Sequence, residues 1–237
     1  MNQILVSQKV YVTKEMKAKR KIYKIVYVIS VLTVIALLIY YIFAEKNRND
    51  QEALSKEIMN TLSDNTTVEE HAIVIALDDN SDDSQAVPIE IPNTPQETES
   101  SVKTSNGQEY KSEAIFKFDR LGITYPVLTS ESEELLKISL CKYWGPKPNE
   151  IGNYCIVGHN YKSGKMFGKL SNSKVGDEVS LSDLNGNEVK YIIYNTYVVE
   201  PTDVSCTSQL TNGKRELTLI TCTNYGQQRL VVKAREI

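Results

Sequence analysis

Twenty consecutive uncharged residues, Ile25–Ala44 (IVYVISVLTVIALLIYYIFA), constrain this chain more than any other feature. At about 1.5 Å rise per residue a helix of that length spans roughly 30 Å, the thickness of a bilayer's hydrocarbon core. Tyr23 and Tyr27 stand near one end and Tyr40, Tyr41 and Phe43 near the other, where an interfacial aromatic belt would place them. A core helix of a soluble domain is rarely apolar on every face for so long. A cleaved signal peptide has a shorter apolar stretch followed by a small-x-small site, and Tyr-Ile-Phe-Ala-Glu is a poor match to one. The expectation is an uncleaved single-span anchor.

The charge distribution then orients it. Net charge is −3 over 237 residues, which excludes a strongly basic nucleic-acid binder, but the charge is segregated. Residues 1–24 carry seven Lys/Arg against one acid, residues 45–110 four against fifteen, and residues 111–237 sixteen against fourteen. Basic flanks stay in the cytoplasm, so residues 1–24 form a cytoplasmic tail, 25–44 the span, and the remainder lies outside the cell membrane.

Residues 45–110 are dominated by acidic and small polar residues, with Pro88, Pro92 and Pro95 and a single aromatic, Tyr110. Such a stretch buries too little apolar surface to offset its ordering entropy and reads as a flexible spacer. As a coil it would reach roughly 45 Å end to end. Glu45–Leu62 can continue the membrane helix for a few turns, and Ala72–Leu77 (AIVIAL) is a minor strand candidate.

From Lys111 the texture changes to short β-rich runs between turn signals. Ile115–Phe118, Tyr125–Leu128, Asn153–Val157, Glu178–Leu181, Val189–Val199, Leu217–Cys222 and Arg229–Ala234 read as strands. Glu131–Leu140 reads as a helix burying Leu135, Leu136 and Ile138, and Asn185-Gly186 and Asn212-Gly213 as hairpin turns. Seven strands and one short helix over residues 111–237 predict a mainly β domain, a compact barrel or sandwich with a core of its own.

The chemistry-bearing residues are few. Two histidines, His71 and His159, and four cysteines, Cys141, Cys155, Cys206 and Cys222, show no zinc-ligand spacing. Cys155 sits in an apolar strand as a small hydrophobe would, and Cys141 and Cys206 are open between free thiols and a bridge. Cys222 differs: it ends the run LTLIT and is followed by Thr223-Asn224-Tyr225-Gly226, a strand end feeding a loop. Seven residues on, Arg229 opens the run RLVV, so an antiparallel pair would set Cys222 beside Arg229. His159 likewise closes the run NYCIVG. A thiol nucleophile needs a base or cation nearby, an imidazole can protonate a departing amine, and a fixed guanidinium can stabilise a carbonyl-derived oxyanion. Together these residues predict acyl transfer through a thioester.

Those same residues resemble a known family. Thr218-Leu219-Ile220-Thr221-Cys222 with Arg229-Leu230-Val231-Val232 is similar to the TLxTC…R signature of sortases, the cysteine transpeptidases of Gram-positive cell surfaces. Val157-Gly158-His159-Asn160 resembles their strand-end histidine motif, and Ile123-Thr124-Tyr125-Pro126-Val127 their early strand with its "PV". Met166-Phe167-Gly168-Lys169-Leu170 and Val175-Gly176-Asp177-Glu178-Val179 match in order between them, so the resemblance runs from about Ala114 to Glu236.

The resemblance implies a closed eight-stranded sortase-type β-barrel with one or two short helices and a groove at one end, carried on the anchor and spacer. It implies that Cys222 attacks the Thr–Gly bond of an LPxTG-like sorting signal. An amine from a peptidoglycan precursor or a pilin lysine would then resolve the thioacyl-enzyme. His159 would be the general acid/base, Arg229 would hold the substrate backbone and the oxyanion, and Thr221, Thr223 and Asn160 would contact substrate. Asn160 and Met166-Phe167 resemble class B members; the short Cys222–Arg229 gap and RLVVKAR resemble classes A and D, giving a class D or class B-like reading. No Asp-Pro-aromatic lid motif precedes the barrel, which implies an open groove. No cofactor is expected; calcium activates part of the family, but no acidic cluster in the domain supports it here. Two alternatives are an L,D-transpeptidase-like cell-wall enzyme, whose cysteine sits in a Ser-His-Gly-Cys setting unlike Leu-Ile-Thr-Cys222, and a non-catalytic membrane-tethered β-domain for binding or adhesion.

Overall fold

Alternate residues of a strand face opposite sides of a sheet, and this chain uses both sides. The computed structural model describes residues 13–67 and 100–237. The chain divides into two units, one ending at Asn49 and one running from Asp50 to Ile237.

Helix α1 (Lys14–Thr67) runs through that division. Its first part contains the uncharged run, with Tyr27, Leu37, Tyr40 and Phe43 all exposed, and it is long and apolar enough to cross a membrane. From Asp50 the pattern changes. Ser55, Ile58 and Leu62 are buried at spacings of three and four, one face of a helix, among Glu52, Lys56 and Glu57.

The second unit is a β-barrel. Its strands are β1 (Ser100–Lys103), β2 (Glu109–Phe118), β3 (Ile123–Leu128), β4 (Leu140–Trp144), β5 (Gly152–Val157), β6 (Glu178–Asp183), β7 (Glu188–Val199), β8 (Arg215–Thr223) and β9 (Gln228–Glu236). Eight of them pair in the order β2-β3-β4-β5-β8-β9-β7-β6, and β6 returns to β2 to close the ring; β1 is a ninth strand on the edge of β2. Two pairs are parallel, β3–β4 and β5–β8; the rest are antiparallel. The closed eight-stranded barrel expected from the resemblance is the one observed, and all seven strands expected from the sequence occur.

Inside the ring, Phe116, Tyr154, Ile156, Leu217, Leu219 and Val232 are each at most 1% exposed. Each such side chain contributes roughly 1.5–3 kcal/mol through burial. The intervening positions build a second layer outside the ring. Ile115, Leu128 and Cys141 form one outer cluster with Ile58 and Leu62 of α1, while Ile220 and Val231 form another with Cys206, Tyr197 and Val199. Tyr197 and Val199 reach that side because a bulge between Ile193 and Asn195 inverts the alternation of β7. The β7–β8 connection lies over this outer face. It is held by Asn153, wholly buried, whose amide donates to the carbonyls of Cys206 (2.9 Å) and Ser208 (3.1 Å) and whose backbone exchanges two hydrogen bonds with the Gln209 side chain.

Three expectations need correction. The stretch read as a flexible spacer is folded at both of its described ends: the expected continuation of the helix over Glu45–Leu62 is found and runs on to Thr67, and β1 and the start of β2 precede Lys111. The barrel's outer apolar face supplies the surface that this otherwise polar stretch packs on. Ala72–Leu77 lies outside the described residues. The helix expected over Glu131–Leu140 is the shorter α2 (Glu133–Ile138), capped by the Ser132 hydroxyl accepting from Leu135 N at 3.1 Å. It ends because Ser139 is extended and Leu140 pairs with Val127 in the unanticipated strand β4. Asn212-Gly213 turns the chain, Lys214 N donating to Thr211 O, but joins no hairpin, since β9 lies between β7 and β8.

Candidate active site

The register of three strands brings the thiol, the imidazole and the guanidinium together. In the antiparallel pair β8–β9, Cys222 stands opposite Arg229. In the parallel pair β5–β8 the last partners are Val157 and Ile220, so His159, two residues on as its chain leaves the sheet, comes out alongside Cys222 on β8. Three hydrogen bonds fix this exit: Gly158 N donates to Ile220 O (3.2 Å), Thr221 Oγ1 donates to Gly158 O (2.7 Å), and Asn160 Nδ2 donates to Cys222 O (2.8 Å). A Cβ at 158 would stand 2.4 Å from Leu140 Cδ2 and 3.0 Å from a ring carbon of Phe167, so any side chain there would push two buried core residues aside.

His159, Cys222 and Arg229 line a single open groove of about 280 Å³ on the barrel's outer face. Ile220 and Thr221 also line it, with walls from Leu136 of α2, Tyr143 of β4, and Val204 and Cys206 of the β7–β8 connection. These wall residues escaped the sequence reading. The alternation of β8 does point Ile220 and Cys222 to one side, but no periodicity in the polar 200–214 connection announces that it folds over that side. Of the three further residues expected to contact substrate, Thr221 lines the groove, though its hydroxyl is engaged by Gly158 and it is 1% exposed. Asn160 and Thr223 are not among the groove's lining residues, and the Asn160 amide is engaged by the Cys222 carbonyl.

The Arg229 guanidinium is anchored by its own loop: Nη1 donates to Gly226 O (2.9 Å) and Gln228 O (3.2 Å). Asn224, Tyr225 and Gly226 of that loop all have positive φ (47°, 54° and 88°), and Tyr225 is 96% exposed. Left-handed backbone at a non-glycine aromatic is a strained state that persists only where the surroundings hold it. The two bonds from Arg229 are such a hold.

All four cysteines are free thiols, and Cys222 alone is not buried. Burial pushes Cys141 and Cys155 up to about 12 and raises Cys206 as well, so these three are protonated at neutral pH. For His159 the direction is downward. Partial burial is the main cause, the Lys137 ammonium adds to it, and Glu133 opposes. The imidazole is therefore mainly neutral near pH 7. Its sign in stability follows: below the ordinary imidazole value of 6.5 the unfolded chain binds a proton that folded His159 resists, so stability is lost as the pH falls through 6.5. Between pH 7.5 and 5.5 the thermal midpoint should thus fall less in His159→Asn than in the parent chain; equal falls would show that this imidazole is not depressed.

A model of the sortase domain matches residues 116–237, just over half of the chain. The chain belongs to the sortase family. Sortases are cysteine transpeptidases, and by family and fold this chain is such an enzyme. A search of curated proteins found no match. Among solved structures, sortase A from Corynebacterium diphtheriae is similar in fold, with 23% identity and a TM-score of 0.50 over 54% of this chain and 61% of that one. A sortase D5 transpeptidase of Clostridium perfringens aligns at 26% identity and a TM-score of 0.48, covering 52% of this sortase and 78% of its own chain. Sortase C-1 from Actinomyces oris aligns at 23% and 0.49, covering 53% and 74%.

Proposed function

We propose that the enzyme cleaves an LPxTG-like sorting signal between Thr and Gly and transfers the threonyl acyl group to an amine of a cell-wall precursor or pilin. The observation that supports this reading best is the pairing of Cys222 with Arg229 across β8–β9, with His159 leaving the parallel neighbour β5 into the same groove. Cys222 Sγ attacks the threonine carbonyl carbon, and the thiol proton passes to His159. The carbonyl oxygen becomes an oxyanion facing the Arg229 fork. Collapse of this intermediate breaks the C–N bond, and the imidazolium returns its proton to the departing glycine amine, leaving a thioester on Cys222. The acceptor amine then attacks the thioester carbon and gives its proton to His159; the C–S bond breaks as the new amide forms, and the imidazolium returns the proton to the Cys222 thiolate.

A neutral imidazole suits both proton acceptances, and the depressed affinity of His159 for its proton favours handing it on to the leaving amine. The groove is open and its walls are apolar at Ile220, Leu136 and Val204, which suits an extended peptide with aliphatic and proline side chains. The uncharged helix of α1, with basic residues on its N-terminal side, fits a single-pass anchor with the N-terminus in the cytoplasm and the barrel outside. There the barrel would meet secreted substrates as they emerge.

The test is to incubate the full chain in detergent micelles with LPxTG-like peptides varied at each position, with and without an amine acceptor, and read products by mass spectrometry. Cleavage after Thr together with an amine-linked product is expected. A complete absence of both across the panel would count against the substrate class.

A further inference from the structure

The stretch of α1 that follows the apolar run makes a contact that leads to the site. The Tyr125 hydroxyl on β3 donates to the Glu52 carboxylate, with its oxygens at 3.0 and 3.1 Å. The same hydroxyl accepts a hydrogen bond from Met166 N at 3.1 Å. Met166 is 2% exposed and has φ of 49°, and it pairs with Asn160 in an isolated bridge. The next residue, Phe167, donates its N–H to His159 O at 3.0 Å, and the Asn160 amide donates to Cys222 O at 2.8 Å. A carboxylate on α1 is therefore joined through one phenol to the loop that holds His159 from its carbonyl side and Cys222 from its own.

We propose that Glu52, acting through Tyr125, is a positioning residue for His159, so that α1 beyond Asp50 is part of the working enzyme and not only its tether. The inference rests on the reading of His159 as the acid–base group. Accepting from Met166 while donating to a carboxylate strengthens both bonds of the phenol, because each polarises the other. Burial, with Glu52 adding to it, pushes Tyr125 up to about 12, so the phenol keeps the proton it donates. The amide it satisfies belongs to a residue in the left-handed region, a state that must be held by its surroundings. The loop is wound closely around that point: a Cβ on Gly168 would lie 2.1 Å from Tyr161 O. With the phenol gone, Met166 loses its buried acceptor and can return to negative φ, which frees the Asn160 bridge and turns His159 away from Cys222. Docking of the helix is independently secured by buried Ile58 and Leu62 and by Glu57, which accepts from Ser105 N (2.7 Å) and Oγ (2.8 Å). Removal of the Glu52 carboxylate therefore leaves the helix in place.

The experiment uses the full chain in detergent micelles, labelled at histidine Cε1, with the His159 cross-peak assigned by its loss in His159→Asn. Glu52→Ala and Tyr125→Phe should both move that cross-peak, and on an LPxTG-like peptide should lower kcat about tenfold with KM within about twofold. Glu52→Gln, whose amide oxygen still accepts from the phenol, should restore the cross-peak position and most of the rate. The cross-peak reads positioning without any turnover, so a parent chain that fails to cleave peptide would refute the substrate class and leave this test standing. An unmoved cross-peak in Glu52→Ala would overturn the proposal, whether or not Tyr125→Phe moves it. Should Tyr125→Phe fail to fold, an unmoved cross-peak in Glu52→Ala overturns it alone.

Discussion

Cys222→Ala should leave the barrel folded and reduce peptide cleavage by at least about 10⁴-fold, the scale on which loss of a nucleophile acts. The exchange removes one half-buried sulfur at a strand end, where the register with Arg229 is set by backbone hydrogen bonds and not by the side chain. A second thiol lines the same groove, and it is the obvious candidate for residual activity. Cys206, however, is 4% exposed and its thiol is raised by burial, so little thiolate is available to replace the missing one. Turnover is measured by product formation from a fluorogenic LPxTG-like peptide, with the thermal midpoint recorded alongside. Retained cleavage in a folded Cys222→Ala chain would remove the proposed nucleophile.

The second large effect is expected at Arg229. Arg229→Lys keeps the charge, yet kcat/KM should fall by about 10²–10³-fold, as when an oxyanion donor is removed. The guanidinium serves two sides: Nη1 grips the Gly226 and Gln228 carbonyls, and the rest of the fork is left to face the groove. An ammonium is a point donor on a flexible stem. It can hold the loop or meet an oxyanion, but it cannot present a planar fork to both. With the grip loosened, the left-handed run Asn224–Gly226 beside the nucleophile also loses its hold. Wild-type kcat/KM in Arg229→Lys would show that charge alone suffices and that the fork has no part.

Much of the site was legible in the sequence because it depends on local pattern. Short β-rich runs bounded by turn signals identified β5, β8 and β9, and an antiparallel pair across the short gap from Cys222 to Arg229 was expected to set the two side by side, as it does. The histidine's neighbourhood followed less directly. Nothing in NYCIVGH says that β5 runs parallel to β8; that adjacency comes from the closure of the barrel. The roles expected for Asn160 and Thr221 looked simple because both flank reactive residues, whereas each spends a side-chain hydrogen bond on pinning the histidine exit to β8. Strand β4 was hidden because its few residues follow a good helical run, and its partners lie on β3 and β5. For Asp50–Leu62 the helix was legible but its docking was not: the acidic average hides Ser55, Ile58 and Leu62, a narrow stripe that matters only when an apolar outer face meets it. A catalytic fragment starting at Lys111 would lack that helix, β1 and the Glu52–Tyr125 contact.

Family membership decides against the L,D-transpeptidase alternative, and the shared groove gives the three groups a joint use that a passive binding domain would leave unexplained. The central claim is that one sulfur carries the acyl group. Its most direct measurement is the intact mass of the full chain after mixing with an LPxTG-like peptide, followed by peptide mapping at acidic pH. An added mass equal to the peptide's acyl half is expected, located on Cys222 as a hydroxylamine-sensitive thioester and discharged by added amine. An adduct on Cys206, or cleavage with no adduct on either thiol when the acyl step is made the faster one, would contradict it.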